Sequence, residues 1–174
     1  MKGRRKLTNI ALYAMFGATM FVSKLAMEGL PNVHPVTMLI MVLTFAYGWR
    51  AVFPLTVYIF LVGIYAGFSL WWIPYLYIWA IFWAISMLIP YDRIPVKVKV
   101  FVLPLICGFF GLIYGTLYAP AQAIMFGMNF DTTLKWILTG LPWDGVHAVG
   151  NFSIGFLIVP LTDVTKKHRA KTSY

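Results

Sequence analysis

Six hydrophobic segments separated by short polar stretches run through the chain, at residues 7–28, 35–49, 51–69, 72–90, 99–118 and 142–162. Most are close to the roughly 20 residues that a helix needs to cross the hydrocarbon core of a bilayer. Gly48 and Pro54 lie on either side of Arg50, which predicts a tight hairpin between the second and third segments. The pattern predicts an all-α membrane protein of one domain, residues 1–174, with six transmembrane helices.

The last connection, residues 119–141, is the longest. A helix-start signal begins at Asp131, and Gly140 followed by Pro142 is typical of one helix ending and the next beginning. We therefore expect a short helix over residues 132–139 in this extracellular connection. Long, partly helical connections usually act as lids or binding loops, and an idle surface loop is the alternative.

Basic residues predict the orientation in the membrane. Twelve of the fourteen lysine and arginine residues fall in four stretches outside or between the hydrophobic segments. Such charges are retained on the cytoplasmic side, which predicts that both termini are cytoplasmic. The twelve are Lys2, Arg4, Arg5, Lys6, Arg50, Arg93, Lys97, Lys99, Lys166, Lys167, Arg169 and Lys171, whereas Lys24 and Lys135 lie on the other side.

Composition supports the membrane class. Hydrophobic residues make up 61% of the chain and charged residues 11%, too few polar groups to cover a soluble domain of 174 residues. The net charge of +9 is not a nucleic-acid footprint, because the basic residues lie where anionic lipid head groups are expected. We therefore expect membrane lipid, and no nucleic acid, as a partner.

A polar stripe begins the last hydrophobic segment. Asp144, His147 and Asn151 are spaced three and four residues apart, which places them on one helix face. Polar side chains at this depth are costly facing lipid, so the stripe should face the bundle interior or a water-filled cavity. It is either the wall of a ligand pocket or a structural network in which Asp144 orients His147 and Asn151 bonds to a neighbouring helix.

Lys24 and Glu28 form a second polar pair, one turn apart near the outer end of the first segment. Lys24 either extends outward to the interface or binds a carboxylate or phosphate on a ligand.

Aromatic residues surround the start of the fourth segment. Trp71 and Trp72 fit an ordinary interfacial belt. Tyr75 and Trp79 share one helix face and descend into the membrane, so they are placed to stack on a flat ring.

Motifs for common enzyme classes are absent from the sequence. It has no Gly-x-x-x-x-Gly-Lys phosphate loop and no Gly-x-Ser-x-Gly elbow. The histidines, His34, His147 and His168, lie on different segments, so neither a metal site nor a cofactor is expected. An intramembrane enzyme built on Asp144 and His147 lacks a nucleophile and is the weakest alternative.

A stripe of small residues, Ala11, Ala14 and Ala18, lies on the first segment, with Gly17 beside it. Such stripes allow close helix approach in lipid. The approaching helix belongs either to a partner protein or to the chain's own bundle, and the sequence leaves both open.

Together, the six segments, the basic start leading into residues 7–18, and the run from Asp144 through His147 to Asn151 resemble one family over the whole chain. The chain is similar to the substrate-binding (S) component of an energy-coupling factor (ECF) transporter. In that family the S component binds a vitamin or metal ion from outside. A membrane-embedded coupling (T) protein and two ABC ATPases then drive its release inward. The resemblance implies a multi-pass, non-enzymatic protein of a prokaryotic plasma membrane.

The resemblance also implies roles for particular residues. The family's alanine motif, matched here by Ala14 and Ala18, contacts the coupling protein. The chain begins Met1-Lys2-Gly3 rather than with the Met-His hook of metal-binding members, so a vitamin or related ring compound is expected. Family sites use the outer connections and outer helix ends, which here gives Trp72, Tyr75, Trp79, Tyr118, Gln122, Asn129, Asp144, His147 and Asn151.

A self-sufficient carrier or channel is the main alternative. It would need a path to both sides of the membrane, and the inner half of the predicted bundle is almost continuously apolar. The deepest polar candidates there, Tyr114, Thr116 and Ser153, carry no charge, which disfavours proton or sodium coupling.

Overall fold

The computed structural model describes residues 2–30 and 32–172, and over these residues the chain is helical and contains no strand. Three 3-10 turns, Gly48–Ala51, Leu70–Trp72 and Tyr91–Arg93, lie between the helices. The helices are α1 (Lys2–Ala26), α2 (Val36–Tyr47), α3 (Val52–Ala66), α4 (Ile73–Leu88), α5 (Val96–Leu112), α6 (Tyr114–Phe126), α7 (Phe130–Gly155) and α8 (Ile158–Thr172).

Several helical stretches have the length and apolarity of a membrane span. Four meet both criteria by themselves, and α7 with α8, bent by 50° at their junction, meets them as a pair. The four are Leu7–Ala26, Val36–Ala66, Leu70–Arg93 and Val96–Phe126. Large apolar side chains on the outside of the bundle, such as Leu88 and Ile124, are more than 80% exposed. The prediction of an all-helical chain with several membrane-length helices is confirmed.

Aromatic contacts fix the directions of the first three helices. Tyr13 stacks on Phe53 and meets the edge of Tyr47, with ring centroids 5.6 and 5.9 Å apart. Further along, Phe21 meets Tyr65 at 5.7 Å. Thus α1 and α3 run in the same direction and α2 runs against both. The chain reverses at Gly48–Ala51, where Gly48 has the left-handed φ of 62°.

Helix α5 packs most extensively against α7. Helix α6, which follows α5 almost directly, also packs against α7. Glycines bring the backbones into contact: a Cβ on Gly111 would lie 2.7 Å from the carbonyl of His147, and one on Gly155 would lie 2.7 Å from the Cα of Pro104. Small residues are the usual means of close helix approach in lipid. We call this contact the glycine seam; it comprises Gly108, Gly111, Gly115 and Gly155.

The last connection differs from the prediction. No separate helix spans residues 132–139, because α7 runs from Phe130 to Gly155 through both Gly140 and Pro142. Proline removes one backbone donor, and within a bundle the turns on either side keep the helix together. Since α6 continues to Phe126, the predicted connection 119–141 is reduced to the three residues between α6 and α7. The predicted short helix and long lid are wrong.

Helix α8 is held to the rest of the bundle by polar and cation–π contacts. Lys166 forms an ion pair with Asp92, and the Tyr91 hydroxyl donates to Asp163 at 3.1 Å. The ammonium of the buried Lys99 lies 3.8 Å from the centre of the Tyr91 ring. Two of the basic stretches, 93–99 and 166–171, therefore meet at one end of the bundle.

Arg169 adds to these contacts by donating to the carbonyl of Ala46 at the end of α2. We call this end the basic end; it comprises Arg50, Arg93, Lys97, Lys99, Lys166, Lys167 and Arg169. The side chains of residues 2–6 and 171, which carry the other charges of the predicted cytoplasmic set, lie outside the described part of the chain.

The glycine seam gives a stability prediction. Replacing Gly111 by Ala places a methyl group against backbone atoms of His147. Backbone atoms in a helix cannot move aside as the end of a flexible side chain can. We expect a loss on the order of 1–3 kcal/mol, measured as a lower melting temperature of the purified protein in detergent. Gly145→Ala on α7 is the matched control, because its Cβ meets no atom within 4 Å. Equal melting temperatures for the two variants would contradict the seam.

Candidate functional site

A cavity of about 170 Å³ lies at the end of the bundle opposite the basic end. It is enclosed by the connection between α1 and α2 together with α4, α6 and α7. Its lining residues are Lys24, Met27, Glu28, Leu30, Asn32, Val33, His34, Tyr75, Tyr114 and His147. Two larger spaces, of about 310 and 350 Å³, are more open grooves around Asp92 at the basic end. The less open cavity is therefore the better candidate ligand site.

The connection between α1 and α2 forms one wall because it lies directly on α7. Asn32 takes the left-handed conformation, with φ of 57°, and its amide donates to the carbonyl of Trp143 at 3.3 Å. A Cβ on Gly150 would lie 3.0 Å from the Val33 side chain, so Val33 rests almost on the α7 backbone. This packing brings the next residue, His34, into the cavity.

Aromatic rings form the inner wall. The ring centroids of His34 and His147 are 5.0 Å apart, and Tyr114 lies 5.2 Å from His147. Trp79, fully buried, is 6.0 Å from His34, 5.6 Å from Tyr114 and 5.7 Å from Tyr75. Most of these pairs meet edge to face, the preferred arrangement of aromatic rings. The wall is a set of rings that position one another.

Buried polar atoms collect around this wall. His34 Nδ1, His147 Nε2, Trp79 Nε1 and the Tyr58 hydroxyl have no hydrogen-bond partner among the described residues. Tyr58 lies behind the wall, 5.9 Å from the Trp79 ring. Buried polar groups are nearly always hydrogen-bonded, and of these four residues His34 and His147 line the cavity, where their nitrogens are accessible to a bound polar molecule.

The charges of the cavity lie at its mouth. Lys24 and Glu28 both line it, and the described residues provide no ion pair for either. Burial, followed by the nearby His147 and Lys24, lowers the pKa of His34 from 6.5 to about 3. At neutral pH the cavity therefore presents one cation, one anion and an uncharged His34.

The predicted polar stripe has one residue in the cavity lining and two in hydrogen bonds between helices. His147 lines the cavity. Asp144 accepts a hydrogen bond from the Gly115 backbone N–H at 3.1 Å, and the Asn151 amide donates to the Thr37 hydroxyl at 3.2 Å. These bonds connect α7 to α6 and to α2, so Asp144 and Asn151 have the structural contacts of the alternative interpretation.

Of the other predicted ligand residues, Lys24 and Tyr75 line the cavity and Trp79 stands behind it. Trp72 donates its indole N–H to the carbonyl of Ile59, and the Tyr118 hydroxyl donates to the carbonyl of Trp71, each at 2.9 Å.

Asn129 and Gln122 also lie away from the cavity lining. Asn129 caps α7 by accepting from the backbone N–H of Thr132 at 2.9 Å, and Gln122 is half-buried on α6. A ligand contact by Trp72, Tyr118, Gln122 or Asn129 stays a prediction.

His34 and Tyr114 belong to the cavity but are not singled out as site residues by the sequence. Both are recognisable there only as separate polar residues. For Tyr114 the sequence does contain a signal. The spacing of Gly108, Gly111 and Gly115 predicts a close helix neighbour for the segment that carries it.

The alanine stripe faces away from the bundle. Ala11 and Ala14 are exposed and Ala18 is half-buried. The internal contact of α1 uses Gly17 instead, where a Cβ would lie 2.7 Å from the carbonyl of Pro54 on α3. Of the two interpretations, packing within the chain's own bundle does not account for Ala11 or Ala14.

No metal site is found in the described part of the chain, where no three His, Cys, Asp or Glu side chains lie close enough together to hold an ion. No protein-family model, curated protein or solved structure matches this chain.

The low pKa of His34 gives a pH prediction. As pH falls below 6.5 the unfolded chain binds a proton at His34, whereas the folded chain does not until about pH 3. Stability is therefore lost as pH falls through this window, by at most about 1.4 kcal/mol per pH unit. His34→Gln should reduce the drop in melting temperature between pH 7 and pH 4.5. Since Lys24 and His147 are present in both proteins, equal drops would contradict the assignment.

Proposed function

We propose that the chain is the membrane-embedded, substrate-binding subunit of an uptake system for a vitamin or related small ring compound. The observation that carries the proposal is the aromatic-walled cavity, with the unpartnered nitrogens of His34 and His147 in its lining, at the end away from the basic residues. Small-molecule sites typically combine apolar and aromatic walls with a few polar groups, as this one does.

The proposed topology has six crossings. Val36–Ala66 reverses direction at Gly48, so it contributes two crossings rather than one long span. With α1, α4, the α5–α6 stretch and the bent pair α7–α8, the total is six. The basic end is then cytoplasmic, and the cavity opens to the outside of a prokaryotic plasma membrane.

Capture would use the aromatic wall and the polar atoms around it. Rings of Tyr75, Tyr114 and His147 pack against a ring of the ligand, while imidazole nitrogens and hydroxyls form hydrogen bonds with its polar groups. Residues 27–30 and 32–35 would cover the bound ligand, in place of the long lid expected from the sequence.

Release inward requires energy from elsewhere, because ligand binding alone only shifts the populations of existing conformations. The sequence contains no phosphate loop. We propose, as the resemblance to S components implies, that a separate transmembrane coupling protein and two ABC ATPases supply it. The exposed Ala11 and Ala14, with Ala18, are the proposed contact with the coupling protein.

A self-sufficient carrier or channel is the less favoured function. Below the cavity the bundle is filled by Tyr58, Trp79, Phe82 and Phe110, which are all almost completely buried. Phe82 and Phe110 stack at 4.5 Å, nearly parallel. Rings therefore fill the described part of the bundle below the cavity, which disfavours an open channel.

The binding function is tested first on the purified wild-type chain. Small molecules retained by the protein are released and identified by mass spectrometry, and their affinity is then measured by titration. A preparation that retains no small molecule, and that no ring compound stabilises, would contradict the proposal.

His147→Phe tests the site because it keeps a ring but removes both nitrogens. We expect about tenfold weaker binding of the retained molecule, which corresponds to one hydrogen bond of about 1.4 kcal/mol. His168→Phe at the exposed end of α8 is the control and should bind like wild type. Unchanged affinity in His147→Phe would remove this residue from the site.

The partner surface is tested by Ala14→Trp. The side chain is exposed, so the bundle should fold and bind ligand normally, while uptake into cells carrying the ATPases should be lost. Ile64→Trp on α3, at a position that is 69% exposed, is the matched control for an added tryptophan in contact with lipid. Normal uptake in Ala14→Trp would place the partner on another face.

A further inference from the structure

The two charges at the cavity mouth are not paired with each other. Lys24 and Glu28 are four residues apart, a spacing at which side chains meet on a continuous helix. Here α1 ends at Ala26, and the following residues form tight turns, with the Glu28 N–H donating to the carbonyl of Leu25 at 3.0 Å. No ion pair joins the two side chains in the described structure.

Both charges nevertheless line the same cavity. Lys24 is half-buried and Glu28 is exposed at the mouth of the cavity. A ligand that covered the mouth would remove both charges from water, which is costly unless opposite charges compensate them. A single ligand that carries a carboxylate and an ammonium group would compensate both. We propose that the cavity binds a small zwitterion with one aromatic ring, its carboxylate on Lys24 and its ammonium on Glu28. This inference rests on the proposed function and narrows its substrate class.

The other charged and titratable groups near the cavity do not alter this balance. His34 is uncharged at neutral pH, and the Asp144 carboxylate is directed to the backbone N–H of Gly115. Asp131 and Lys135 are exposed on the first turns of α7 and do not line the cavity. A plain anion would be attracted by Lys24 and repelled by Glu28, and an uncharged ligand would leave both without partners.

The size of the cavity favours a small ligand. Pockets for drug-sized molecules are typically about 300–1,000 Å³, whereas this cavity has about 170 Å³. The proposed ligand is one six-membered ring among Tyr75, Tyr114 and His147, with its charged groups toward the mouth. Flavin and corrinoid ring systems are larger than this class of ligand.

The charge assignment is tested with four compounds that share a phenyl ring and a similar length but differ in charge. They are L-phenylalanine (zwitterion), 3-phenylpropionate (anion), 2-phenylethylamine (cation) and 3-phenylpropanamide (neutral). Binding to the purified full-length chain is measured by thermal stabilisation and titration. We expect phenylalanine to bind at least tenfold more tightly than the other three. Equal binding of all four, a preference for another member, or binding of none would overturn the inference.

Two substitutions test the charge positions independently. Lys24→Met and Glu28→Gln should each weaken phenylalanine binding at least tenfold, because each removes one of its two ionic partners. For 3-phenylpropionate the effects should be opposite: Lys24→Met weakens binding, and Glu28→Gln strengthens it by removing a repulsion. Lys135→Met, which changes an exposed charge away from the cavity, is the control.

The direction of the Glu28→Gln effect distinguishes failure of the zwitterion inference from failure of the proposed binding function. If this variant binds phenylalanine more tightly, the site selects anions and the zwitterion is wrong, while the binding function stands. The same conclusion follows if the molecule retained by the wild-type protein is anionic or uncharged. If the protein retains no molecule and binds no ring compound, the proposed function fails together with the inference.

Discussion

The glycine seam between α5–α6 and α7 is the constraint on which the rest of the structure depends. In lipid there is no hydrophobic driving force between apolar helices, so close packing and interhelical hydrogen bonds must hold them together. At Gly111 the two backbones touch, which fixes the height and rotation of His147. The same approach lets the Gly115 N–H reach Asp144. With α7 fixed in this way, two of its later residues contact the region around the start of α2: Gly150 packs against Val33, and Asn151 donates a hydrogen bond to Thr37.

The sequence predicts the helical segments well because hydrophobic length is a property of each segment alone. It fails at residues 119–141 because Gly140 and Pro142 are local signals, and local signals describe only a preference for ending a helix. Whether a helix ends there depends on its neighbours. Here the stacking of Tyr118 on Trp136, with centroids 6.2 Å apart, joins α6 to the first part of α7 and holds that part to the bundle.

The sequence also predicts the candidate site only in part, because local spacing does not say what lies opposite each residue. Helical spacing places Asp144, His147 and Asn151 on one face, but it does not say which of them meets a cavity and which meets another helix. That division is set by what lies opposite: Gly115 for Asp144, Thr37 for Asn151, and the rings of His34 and Tyr114 for His147. Contacts between residues so distant in the chain have no periodicity to reveal them.

Helix α2 has a mechanical consequence. It has only twelve residues, about 18 Å of helix, and all but two of them are buried. At one end Arg169 of α8 is bonded to the carbonyl of Ala46, and at the other His34 directly precedes the helix-capping Pro35. A short buried helix resists bending and transmits displacement along its axis. A movement of α8 along the axis of α2 would therefore also displace His34 at the wall of the cavity.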